Sequence, residues 1–309
     1  MNRRFEKPPA LPASMRDAAH PPWLARAADY WTLTKPEVNV LVLVSTLAGF
    51  YLASRGPLQW GRLFHTLMGT LLVASGTGTL NQYLERHSDK HMRRTANRPL
   101  PAGRLVPAEA CWFGILLSAA GGWELWRFTN PYASVLALAT LVAYLLLYTP
   151  LKGKTPHCTV VGAFPGAMPP LIGWAAVRNS LGLEAWVLYA ILFLWQFPHL
   201  LAIAWMYRED YARAGLQMLP RNDRAGRSTV RQILACSLAL VPATLMPAFL
   251  GQAGLAYLTA ALVLGLGFLY YVLRLAASRS NSLARQLVLA SVVYLPLVLT
   301  LMMADKTPR

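Results

Sequence analysis

An all-α polytopic membrane protein is the fold class this sequence predicts, and three observations predict it. Of the 309 residues, 55% are hydrophobic and only 14% charged, and the mean hydropathy of +0.37 is high for a water-soluble globular chain. The apolar residues gather in nine continuous runs near twenty residues, the length a helix needs to cross the hydrocarbon of a bilayer. The cations are segregated. With the N-terminus inside, 23 of the 29 lysines and arginines fall on the same face, as cytoplasmic loops require. A membrane β-barrel would alternate apolar and polar residues, whereas these runs are unbroken, and a helix satisfies its own backbone within lipid.

The runs lie at 38–54, 62–84, 108–127, 132–149, 157–177, 185–206, 232–250, 254–273 and 286–303. They predict nine helices around a central cavity, N-terminus cytoplasmic and C-terminus outside, in one domain over 38–303. Residues 1–37 read as a cytosolic tail with an interfacial helix around Trp23 to Trp31, and 304–309 as a short tail. Arg3 and Arg4 lack the apolar stretch that a twin-arginine signal needs, and Glu6, Asp17 and Asp29 argue against an organelle presequence. The net charge of +16 is a consequence of topology, with an anionic leaflet as its neighbour, since the basic residues are scattered over short loops beside membrane. This makes nucleic acid a poor partner. Cys111, Cys158 and Cys236 stand singly and indicate neither disulfides nor a cysteine metal site.

The segment NQYLERHSDKHMRRTANRPLP at 81–101 closes the second run and carries the most chemistry. Asn81, Glu85 and Asp89 recur every four residues, so a helix places them on one stripe of oxygen ligands. Such ligands suit a hard divalent cation such as Mg²⁺, and Arg93, Arg94 and Arg98 follow to grip phosphoryl oxygens. Alone, the stripe is equally a solvated helix end. A second long loop on the same face, 207–231, brings Glu209 and Asp210 with Arg208, Arg213, Arg221, Arg224 and Arg227, and the short loop between carries Lys152 and Lys154. Independent elements therefore converge on a polyanionic substrate. The arginines of the second loop also fit a purely topogenic role. Pro165, Pro169 and Pro170 predict an interruption in the fifth span. In the sixth, Gln196 and His199 need polar partners, and an interhelical hydrogen bond accounts for His199 as well as a reactive role does.

LTKPEVNVLVLVSTLAGF at 33–50, NQYLERHSDKHMRRTANRPLPAGR at 81–104, YTPLKGKTPHCTVVGAFPGAMPPLIGW at 148–174 and LFLWQFPHLLAIAWMYREDYARAGLQMLP at 192–220 resemble the UbiA superfamily of intramembrane prenyltransferases. Within it they resemble the protohaem IX farnesyltransferase, or haem O synthase, branch. The resemblance spans about residues 30–300 and implies nine helices, Mg²⁺ and a prenyl diphosphate held by two acidic motifs. The superfamily usually has Asp at the position of Glu85 and a second Asp at that of Ala214, and the branch Asn at that of Cys158.

The resemblance further implies farnesyl transfer from farnesyl diphosphate to a vinyl group of haem B, with water addition, giving haem O. The implied site comprises Asn81, Glu85, Asp89, Glu209 and Asp210 for metal, and Arg93, Arg94, Arg98, Lys152, Lys154 and Arg208 for diphosphate. His199, Trp195, Phe197, Tyr83 and Tyr148 would form the haem or prenyl pocket, with His199 as proton acceptor or iron ligand. A bacterial inner membrane with cytoplasmic active-site loops follows, and a haem A synthase or terminal-oxidase assembly factor becomes a candidate partner. A UbiA-type enzyme acting on a quinone precursor or chlorophyll-like acceptor shares the acidic motifs, and a secondary transporter shares the polytopic form and broken helix.

Overall fold

Each apolar run carries helix in the computed structural model, which describes residues 22–307 apart from Arg221 and Arg224. The expectations for residues 1–21, for those two arginines and for Pro308 and Arg309 lie outside the described residues. After α1 (Pro22–Leu33) come α2 (Pro36–Ala53), α3 (Trp60–Asp89), α4 (Pro107–Phe128) and α5 (Pro131–Leu151). Then follow the broken pair α6 (Cys158–Gly166) and α7 (Pro169–Arg178), α8 (Leu183–Met206), the short α9 (Arg208–Arg213), α10 (Arg227–Phe249), α11 (Leu255–Ser278) and α12 (Asn281–Ala304).

Among the described residues, eight spans are long and apolar enough to cross a membrane, with α6 and α7 counted as one. The expected ninth, α4, is 22 residues long but falls outside that set, because Glu109, Glu124, Arg127 and its many small residues dilute its apolar character. Its outward side nevertheless exposes Trp112, Leu116, Trp123 and Trp126. Large apolar side chains on the outer surface are what a lipid solvent favours. Helix α1 likewise leaves Trp23 and Trp31 exposed.

Small residues let the helices approach closely, the usual device where lipid removes the hydrophobic drive for association. A Cβ on Gly76 of α3 would lie 2.1 Å from Ser118 Oγ of α4, and one on Gly173 of α7 would lie 2.0 Å from the Thr46 carbonyl of α2. Helix α8 packs against α10 and α12, which also contact α11. The fifth span breaks between Gly166 and Pro169, deeper than its glycine- and proline-bearing start, because consecutive prolines at 169 and 170 remove two backbone donors. Gln196 Nε2 reaches the Ala163 carbonyl at 3.2 Å and Tyr189 donates to that of Phe164 at 3.4 Å. The polar group in the sixth span thus serves the broken helix. The sequence did not show that Ala143–Tyr148 of α5 widens into a π turn.

Candidate active site

Helix α3 continues past its apolar run to Asp89, so Asn81, Glu85 and Asp89 do share one helical face. Asn81 and Asp89 are buried, and each member of the stripe meets a cation. Lys35 Nζ donates to Asn81 Oδ1 at 2.6 Å, Lys152 Nζ to Glu85 Oε1 at 2.6 Å, and Arg98 Nη1 to Asp89 Oδ2 at 2.8 Å. Lys152 also lies over the Tyr148 ring, 4.5 Å from its centroid, and Tyr148 stands edge-on to Tyr144 across the π turn. Asn81 Nδ2 donates to Thr149 Oγ1 at 3.2 Å, which ties α3 to α5.

Lys35 was not singled out as a site residue, although it lies in the TKP sequence that opens the first span. Its backbone is left-handed at φ 55°, unusual for a residue with a side chain and more so before proline. The connection is clamped: Gln82 Nε2 donates to the Thr32 and Leu33 carbonyls, and Asn39 Nδ2 to that of Thr34. Burial, then the neighbouring Arg98 and Lys152, lower the Lys35 ammonium to about 7, against the pull of Glu85 and Asp89. Burial also opposes the charge on Lys152, but Tyr148 and Glu85 outweigh it and hold that ammonium well above the ordinary lysine range.

The two long loops meet at this end of the bundle. Arg94 Nη2 donates to Tyr211 Oη at 3.4 Å and lies over the Tyr207 ring, while the Gln217 amide donates to the Lys152 carbonyl at 2.6 Å. Cys158 is buried against Met218 of the second loop. Asp210 is buried and ion-paired with Arg213, one turn along α9, whereas Glu209, Arg93 and Lys154 are exposed.

Other expected site residues make their contacts elsewhere. Tyr83 lies two residues from Asn81, on the far side of α3, and packs with Leu33, Leu100 and Leu105 under Arg86. Arg208 donates to the Trp205 carbonyl and to Asn281 Oδ1, both at 2.8 Å, so it braces α8 against the start of α12 instead of pointing to the diphosphate loops. Trp195 and Phe197 cannot line one wall, being two residues apart on α8. Trp195 donates to the Ser291 carbonyl of α12, while Phe197 packs on Phe193. His199 stacks on Trp195 and its Nδ1 lies 2.7 Å from Ser291 Oγ. Because Ser291 Oγ donates to the Val288 carbonyl, it accepts from His199, which assigns the proton to Nδ1 and leaves a lone pair on Nε2.

Among the described residues no three His, Cys, Asp or Glu side chains gather as a metal-holding group. Mg²⁺ does not require such a cage: it is commonly held by one or two carboxylates together with substrate phosphates and water. One observation fits that mode. Asp89 Oδ1 is buried without a hydrogen-bond partner, an acceptor left for a cation, and an amide oxygen such as Asn81 Oδ1 keeps a second lone pair.

A model of the UbiA prenyltransferase family matches residues 42–295, and the chain belongs to that family. It is an intramembrane prenyltransferase, an integral membrane protein by its spans and its kin. It is 51% identical over 287 residues to the protoheme IX farnesyltransferase of Solibacter usitatus, covering 90% of this chain and 98% of the relative. To the protoheme IX farnesyltransferase of Koribacter versatilis it is 47% identical over 289 residues, covering 90% and 93%. A digeranylgeranylglyceryl phosphate synthase shares the fold with a TM-score of 0.75 at 17% identity, over 91% of this chain and 98% of that one. A UbiA homologue from Archaeoglobus fulgidus bound to DMAPP and Mg²⁺ does so with a TM-score of 0.65 at 13% identity, over 89% and 99%.

Proposed function

We propose that this chain transfers the farnesyl group of farnesyl diphosphate to a vinyl group of haem B, giving haem O and diphosphate. The observation that carries the reading is the set of three cations, Lys35, Lys152 and Arg98, seated on the oxygen stripe Asn81, Glu85 and Asp89 where the polar loops meet. The relatives' names supply the acceptor. Glu85 and Asp89 with Asn81 would hold Mg²⁺, which when bound neutralises diphosphate charge. Lys35, Lys152 and Arg98 bind phosphoryl oxygens and stabilise negative charge growing on the leaving group as the C–O bond loosens. Arg94, between the loops, and the exposed Arg93 and Lys154 lie where they draw the anion in.

Tyr148 and Tyr144 offer aromatic faces to the allylic cation. The vinyl group attacks that cation, and water captures the charge that results, forming the hydroxyethylfarnesyl group and releasing a proton. His199 Nε2 accepts that proton in this scheme, with Ser291 fixing the ring. The loops face the cytoplasm of a bacterial cell and α4 completes nine spans, in keeping with the segregated cations. Expression in a host lacking haem O tests the assignment: extracted pigment should gain the mass of one farnesyl group plus one hydroxyl over haem B, as hydroxyethylfarnesyl replaces vinyl. Unaltered haem B, with prenylation of a quinone precursor instead, would refute it.

A further inference from the structure

A polar cleft of about 440 Å³ lies at the opposite end of the bundle, separated from Lys35 by the length of α2, roughly 27 Å for 18 residues. It is lined by Arg55 after α2, Arg178 at the end of α7, Glu184 at the start of α8, Gln252 between α10 and α11, and Lys306 after α12. This end is otherwise poor in cations, so three in one cleft are not explained by topology, which favours them at the other end. Gln252 is only 6% exposed, and neither its Nε2 nor its Oε1 has a hydrogen-bond partner. A buried amide with both groups unmet costs stability unless something supplies an acceptor and a donor. Lys306 Nζ donates to the Tyr51 and Ser54 carbonyls, both at 2.6 Å, and lies over the Tyr51 ring, which holds the ammonium at the cleft, while burial and then Arg178 lower its pKa. Tyr51 and Trp174 furnish apolar walls.

We propose that this cleft binds the hydroxyl-bearing phosphodiester headgroup of an anionic lipid, such as phosphatidylglycerol, at the membrane face opposite the diphosphate site. The phosphodiester oxygens face Arg55, Arg178 and Lys306, a headgroup oxygen accepts from Gln252 Nε2, and a headgroup hydroxyl donates to Gln252 Oε1. The acyl chains leave along the apolar walls into the bilayer. A bilayer supplies this chemistry at the depth where the helices end.

The test uses the full chain in lipid-free detergent, titrated with phosphatidylglycerol, phosphatidylcholine or inorganic phosphate, and reads bound lipid by native mass spectrometry alongside thermal unfolding. Phosphatidylglycerol should bind saturably, and Arg178→Gln and Gln252→Leu should each weaken it roughly fivefold to tenfold. Both variants should retain farnesyl transfer in detergent, so failure here leaves the proposed activity untouched. Equal binding of phosphatidylcholine, or affinity unchanged in both variants, overturns the proposal. Protection by inorganic phosphate as strong as by the lipid overturns the lipid assignment in favour of a free anion. If Gln252→Leu alters folding, Arg178→Gln, on a half-buried side chain, decides the outcome.

Discussion

Lys152 Nζ lies 2.6 Å from Glu85 Oε1, joining the loop after the fourth span to the end of the second across 67 residues of sequence. A half-buried pair of this kind has each charge dependent on the other. Lys152→Met should lower farnesyl transfer roughly 10²-fold, the usual cost of losing one donor to a developing anion. Glu85→Gln should do the same, and the double variant should be no worse than the poorer single. Transfer of labelled farnesyl in proteoliposomes measures all three. Additive losses would show the two side chains acting apart.

Lys35 holds a left-handed backbone that costs about 1 kcal/mol or more for a residue with a side chain. Lys35→Gly should relieve that strain while losing the contact to Asn81. Thermal stability should then stay near that of the parent while turnover falls at least about tenfold. A variant equally stable and equally active would leave Lys35 without a role in the reaction.

Arg208 grips Asn281 and the Trp205 carbonyl and is expected to act on stability alone. Arg208→Gln should lower Tm, at a cost of about 1–3 kcal/mol for hydrogen bonds to a charged donor. The KM for farnesyl diphosphate should not change. A raised KM at unchanged Tm would return Arg208 to the diphosphate site.

A Cβ on Gly162 would stand 2.5 Å from the Tyr148 ring. Gly162→Ala must therefore displace the ring that Lys152 lies over, and kcat should fall while the protein still folds. Restoring room with Gly162→Ala/Tyr148→Leu should not restore activity, because the aromatic face is then absent. Initial rates with saturating substrates distinguish the two.

Asp223 accepts from the Ser228 and Thr229 amides and from Thr229 Oγ1 at the start of α10. Burial opposes ionisation there, but the bonds from Thr229 and Ser228 outweigh it and lower the carboxyl to about 2. A depressed pKa contributes stability above the unfolded value, about 3.9, and loses it as pH falls toward 2. Asp223→Ala should cost about 1 kcal/mol at neutral pH, as for a lost helix cap, and flatten the acid limb of Tm against pH. An identical acid limb in both proteins would contradict the assignment.

Sequence by itself determined where the helices lie, the oxygen stripe and the interruption near Pro169, because each depends on near neighbours: an apolar run, a repeat of four, and prolines lacking donors. It also set Tyr83 away from the stripe, since two residues along a helix is nearly the opposite side. Only the tertiary structure decided which cation meets which oxygen. Lys35, Lys152 and Arg98 reach the stripe from three connections whose juxtaposition depends on how α2, α3 and α5 pack. It likewise turned Arg208 toward Asn281 and His199 toward Ser291, and assembled a cationic cleft from segments as distant as Arg55 and Lys306. Long polar side chains can point many ways, and packing selects one.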